Sequence, residues 1–95
     1  MHVRYYLDPE TAEPHVHSHD VDETEVEEVL ERSGEDRPGL EGSRIAIGQT
    51  RAGRYLRVIY VPDPDPGSIF VITAYELQGK PLQAYRRRMR RRRSS

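Results

Sequence analysis

No cysteine occurs among the 95 residues, which excludes a disulfide framework, a thiolate zinc site and a cysteine nucleophile. That composition suits a reducing cytoplasm. The longest apolar run, Ile69-Phe70-Val71-Ile72, is far shorter than the roughly 20 residues a helix needs to cross a bilayer. Met1-His2-Val3-Arg4-Tyr5-Tyr6 carries no signal-peptide apolar region, so a cytoplasmic location without a membrane partner is expected. No G-x-S-x-G elbow is present, and Ser18, Ser33, Ser43 and Ser68 lie in loop-like contexts, which argues against serine–histidine catalysis. A phosphate-cradling glycine loop, a helix-turn-helix pattern and an internal repeat are also missing.

Net charge is nearly absent too, but only because opposite charges are sorted along the chain. Residues 1–41 hold thirteen acids against Arg4, Arg32 and Arg37, a net −10. Residues 42–95 hold twelve bases against three acids, a net +9, and close on Arg86-Arg87-Arg88-Met89-Arg90-Arg91-Arg92-Arg93. Such asymmetry points to a polyanion partner for the basic half, with the acidic half opposing it in the fold or on a partner protein. The alternative is a solvated surface with a disordered basic tail.

A third of the chain is charged, yet the aliphatic residues cluster centrally, as in one small folded domain with polar ends. Asp8-Pro9 reads as a helix start, and Pro14 keeps that piece short or broken. Asp22 with Glu25 forms a capping box flanked by the Val21–Val26 staple, and Val26, Val29 and Leu30 share a face. A helix over about 22–32 follows, with Gly34 placed to end it. Residues 35–43 read as a polar loop. Three strands come next, at 44–50, 54–61 and 68–75, the first two joined by the Arg51-Ala52-Gly53 turn as a hairpin. Lys80-Pro81 opens a last helix in which Leu82, Tyr85 and Met89 share a face. Its order is expected to fade after Met89, because seven arginines in eight positions repel one another. The expected architecture is α+β: an antiparallel sheet of three or four strands with N-terminal helices on one face and a C-terminal helix. Val26, Val29, Leu30, Ile45, Ile47, Val58, Phe70 and Ile72 form the expected core.

Several segments together resemble a known group. His15-Val16-His17-Ser18-His19-Asp20-Val21 followed by Glu25-Val26-Glu27-Glu28-Val29-Leu30 is similar to the entry of BrnT-type toxins. Ile45 to Thr50 with Gly53 to Tyr60 resembles their central hairpin, and Ile72-Thr73-Ala74-Tyr75 with Lys80 and Tyr85-Arg86-Arg87 their last strand and basic helix. The resemblance implies a RelE-like fold, assigned to residues 1–89, and the arginine charge run makes 90–95 a basic tail expected to be disordered. The resemblance also implies ribonuclease activity restrained by a cognate antitoxin, and structural roles for His15 and His19. Two positions depart from the pattern. Tyr75 stands where those sequences usually place an arginine, which bears on catalysis. Asp20 stands where they place a glycine, and aspartate can still adopt a left-handed turn.

Metal-independent RNA cleavage needs a base for the 2′-hydroxyl, cations for the phosphate and an acid for the leaving oxygen. Arg51, Arg54 and Arg57 flank the hairpin, and Lys80, Arg86 and Arg88 open the last helix; packed together they would make one cationic groove. Tyr55, Tyr60 and Tyr75 are candidates to stack on bases. Lys80 or Glu76 is the candidate base and Tyr75 or Tyr85 the candidate donor, although Tyr85 also fits a core position. Arg54 and Arg57 fit equally as solvent-facing strand residues. His15, His17 and His19, with Glu10 and Glu13, offer a weak zinc or nickel set whose alternative is structural. The expectation is therefore a toxin of a type II toxin–antitoxin system. It would be a metal- and cofactor-free endoribonuclease with Lys80, Glu76, Tyr75 and Arg54 at its site, or an RNA-binding relative. The alternative is a non-catalytic module whose basic helix docks on an acidic protein or nucleic acid.

Overall fold

Asp22 opens the first α-helix, α1 (Glu23–Glu31), as its sequence requires. Its carboxylate accepts the Glu25 amide while the Glu25 side chain accepts the Asp22 amide. In this computed structural model, which describes residues 2–94, Val21, Val26 and Val29 are buried in one cluster.

The helix lies on a five-stranded sheet in the order β1-β5-β4-β3-β2, an α+β arrangement. The three central strands form the expected antiparallel meander: β3 (Arg44–Gln49), β4 (Tyr55–Pro62) and β5 (Ser68–Glu76). Two edge strands correct the expectation of an antiparallel sheet of three or four strands. At one edge β1 (His2–Tyr5) pairs parallel with β5, so the sheet is mixed. Its alternation, with Val3 and Tyr5 turned to the core, covers only four residues and is too short to stand out in the sequence. At the other edge β2 (Glu35–Pro38) occupies part of the expected loop. Nothing in Glu-Asp-Arg-Pro favours a strand; tertiary contacts hold it. Tyr60 and Arg44 both bind Asp36, and Arg88 binds Glu35. Pro38 is tolerated because the strand is an edge.

Asp8-Pro9 starts a turn where a helix was expected. The Asp8 carbonyl accepts the Ala12 amide at 2.7 Å, and its side chain accepts the Glu10 amide at 3.0 Å. A short 3-10 helix, His15–His19, follows, and Asp20 ends it in the left-handed region at φ 58°. Aspartate thus fills the glycine-like position at some conformational cost.

Alternation along β4 divides the core. Leu56, Val58 and Tyr60 face α1 with Val16, Ala46, Val71 and Ala74. On the other face Ile47 packs with Leu77, Tyr85, Tyr55, Leu82 and Met89, beneath α2 (Gly79–Ser94). Of the expected core, Val26, Val29, Ile47 and Val58 are buried, while Leu30, Ile45 and Phe70 are half-buried. Ile72 is exposed at 36%, since the register shift beside it leaves Ile72 without a partner on β4.

Helix α2 runs on past Met89 to Ser94, where like-charge repulsion was expected to end order. Two anchors hold its second half: Arg88 grips the Glu35 carboxylate, and Arg92 donates to the Gly34 carbonyl. Gly34 does not cap α1, which ends at Arg32; it admits α2. A Cβ at Gly34 would stand 2.0 Å from the Tyr85 hydroxyl oxygen. Ser95, the end of the expected tail, lies outside the described residues.

Candidate nucleic-acid interface

Helical spacing sets the chemistry of α2. With Leu82, Tyr85 and Met89 turned inward, Arg86, Arg90 and Arg93 fall on one flank at i, i+4 and i+7. They line a cleft of about 330 Å³ together with Gln49, Tyr55, Tyr85 and Met89. The Arg86 guanidinium lies over the Tyr55 ring, 5.0 Å from its centroid. Tyr55 meets Tyr85 edge-on, with centroids 6.0 Å apart. Burial first, and then the nearby Glu35 charge, raises the Tyr85 phenol above its ordinary pKa, so it stays protonated at neutral pH. Exposed arginines, one of them stacked on a half-buried tyrosine ring, are a chemistry that holds single-stranded nucleic acid.

The opposite flank of α2 is structural. Arg88 makes a two-point contact with Glu35, Nη2 to Oε1 being 2.9 Å, and holds that carboxyl below its usual pKa. Arg88 was expected on RNA; it fastens the helix to β2.

The other expected site residues do not converge. Arg54 reaches the α1 side, where its Nη1 donates to both Glu25 oxygens at 2.9 and 2.8 Å and to the Asp20 carbonyl at 2.9 Å. Its Nη2 lies 3.4 Å from Glu76, so one guanidinium clasps the start of α1 to the end of β5. Arg51 sits in the hairpin turn, its side chain 84% exposed and 3.9 Å from Glu28. Arg57, three residues after Arg54, projects from the opposite sheet face, so the two do not share one groove. Tyr60 was expected to stack on bases, but it is a core residue, 7% exposed, whose hydroxyl donates to Asp36. Burial, then Asp36, raises its pKa.

Tyr75 and Glu76, expected around one phosphate, are strand neighbours pointing to opposite faces. Tyr75 lies opposite Arg57; Glu76 is turned to Arg54. Lys80 is exposed in the first turn of α2. The structure thus unites Tyr55 and Arg86 in one cleft and Arg57 with Tyr75 in another cavity. Arg90 and Arg93 fall in the stretch expected to be a disordered tail, although their spacing from Arg86 is legible in the sequence. Gln49 carries no such signal.

His17 bonds to Glu23, which raises the imidazole pKa and lowers that of the carboxyl. His15 turns elsewhere, 3.7 Å from Asp8, with its ring edge-on to those of Tyr6 and His19. Among the described residues no three histidine, aspartate or glutamate side chains are grouped to hold a metal ion. No described helix is long and apolar enough to cross a membrane.

No curated protein and no solved structure matches the chain. A family model matches residues 12–76, from the turn before the 3-10 helix to the end of β5, leaving β1 and the arginine helix outside it. With that match over most of its length, the chain belongs to the family described as a domain of unknown function, DUF4258.

Proposed function

We propose that the protein is a single-stranded-RNA-binding domain of the RelE-like kind, a relative of BrnT-type toxins that a cognate antitoxin would restrain. The observation that carries the RNA part is the cleft on α2, where Arg86, Arg90 and Arg93 stand beside Tyr55 and Tyr85. A backbone phosphate suits an arginine fork, and a base suits the guanidinium plane that Arg86 lays over the Tyr55 ring. Much of the remaining basic charge is spent inside the fold. Arg44, Arg54 and Arg88 pair with Asp36, Glu25 and Glu35, so acidic and basic halves oppose each other within the chain. Binding is better supported than cleavage, because the expected catalytic side chains are divided between two faces of the sheet.

Fluorescence anisotropy with a short labelled oligoribonucleotide tests the reading. Each neutralised phosphate on a single strand contributes roughly −0.7 to the slope of log K against log salt, so three arginines give about −2. Arg86→Ala with Arg93→Ala should flatten the slope by about 1.4. Absence of binding at low salt, or a slope untouched by the double substitution, refutes it. Electrophoresis of the same RNA after incubation in EDTA reports whether cleavage accompanies binding.

A further inference from the structure

The face of the sheet beneath α2 is only partly covered. Beyond the helix a cavity of about 510 Å³ opens between the β2–β3 loop and the central strands, sharing no lining residue with the arginine cleft. Its walls are mostly apolar: Pro38, Leu40, Ile45 and Ile59, with Arg57 and Tyr75 at the floor. This volume falls in the range of small-molecule sites, about 300–1,000 Å³. The polar side chains of the lining are few, Ser43, Arg57 and Tyr75. Arg57 Nε is buried without a hydrogen-bond partner, as is Oγ1 of Thr73, which lies directly across from Ile59 on the same face. No acidic residue lines the cavity, so a cation stands uncompensated among aliphatic groups. Burying such a donor unpaired is unfavourable, and an anion on the open Nη end of the same guanidinium would offset part of that cost. Leu40, 87% exposed at the rim, is an apolar side chain that a ligand would cover.

We propose that this cavity binds a small apolar carboxylate, its anion on Arg57 and its body against Ile45, Ile59, Pro38 and Leu40. The two Nη–H groups at the end of a guanidinium present a parallel pair of donors that a carboxylate meets with both oxygens. A carboxylate also balances the single charge available. A phosphate monoester carries about −1.5 to −2 and would leave excess negative charge in an apolar enclosure. The site is independent of the RNA reading and survives its failure.

The test is titration of the isotope-labelled protein with phenylacetate, phenylacetamide and phenyl phosphate, followed through backbone amide shifts. Phenylacetate should move the amides of Gly39, Leu40, Arg57, Ile59 and Tyr75 and saturate with a Kd of the order of 1 mM, ordinary for so small a ligand. The neutral amide and the phosphate should each bind at least about tenfold more weakly. Arg57→Gln should abolish the preference for the carboxylate. Leu40→Glu, at an exposed position that leaves the core intact, should weaken phenylacetate binding by placing a like charge at the mouth. Equal binding of acid and amide, tighter binding of the phosphate, or shifts confined to 86–93 and indifferent to both substitutions would overturn the assignment.

Discussion

Replacing Gly34 by alanine tests how α2 is attached. A methyl group there would stand 2.0 Å from the Tyr85 hydroxyl oxygen, and 3.1 Å from both Tyr85 Cζ and Met89 Cε. Tyr85 is 5% exposed in the cluster with Ile47 and Leu77, so its ring has little room to retreat. The backbone at Gly34 is not left-handed, so alanine meets no dihedral penalty; by itself it would stabilise by about 0.4–1 kcal/mol through the unfolded state. Overpacking a filled interior costs about 1–3 kcal/mol, which outweighs that gain. For a domain of this size the net loss lowers Tm by roughly 5–15 °C. Tyr85→Phe removes the atom at 2.0 Å but leaves Cζ at 3.1 Å, so relief should be incomplete. In a double-mutant cycle read by urea denaturation, Gly34→Ala should therefore be less damaging in the phenylalanine background, by about 1 kcal/mol. If Gly34→Ala is neutral or stabilising, or the two effects add, the close approach of α2 to this glycine is not what holds the helix. RNA affinity should fall with Gly34→Ala in the same order, since the cleft is made where α2 meets Tyr55.

Arg54→Ala should destabilise by about 1–2 kcal/mol in urea, discounted for partial exposure, because Glu25 and the Asp20 carbonyl lose a shared donor. RNA binding and its salt slope should stay unchanged, whereas a role for Arg54 on RNA requires both to fall. The Glu35 carboxyl is held below its ordinary pKa of 4.5, first by the Arg88 hydrogen bond, so its contribution is full above that value. The contribution is lost as pH falls through the depressed folded value. The stability gap between the wild type and Glu35→Gln should accordingly close on acidification below 4.5, and a constant gap measured by denaturation across that range would contradict the pairing. Tyr60→Phe should lower stability by about 1 kcal/mol, leaving Asp36 with one donor fewer, and should not alter RNA affinity.

Local chemistry was enough to place the central elements. Asp22 and Glu25 define the start of α1 because the whole capping box lies within four consecutive residues, and alternating aliphatics define β3, β4 and β5 because a half-buried strand repeats every two residues. The sorting of charge likewise announced that acids and bases would meet. What the sequence could not determine is which arginine meets which acid. Arg54 and Arg57 look alike in the hairpin, but the pleat sends one to Glu25 and the other into an apolar cavity. Arg88 and Arg86 are near neighbours in an arginine run, and only the packing of Tyr85 against Gly34 turns one to Glu35 and the other to Tyr55. Strands β1 and β2 are too short, and β2 too polar, to declare themselves; β1 exists because distant β5 completes its hydrogen bonds, and β2 because β3 pairs with it and Arg44, Tyr60 and Arg88 hold its acids. Periodicity is carried by neighbours in the chain, whereas the pairing of charges and edges depends on contacts that the chain makes only after it has folded.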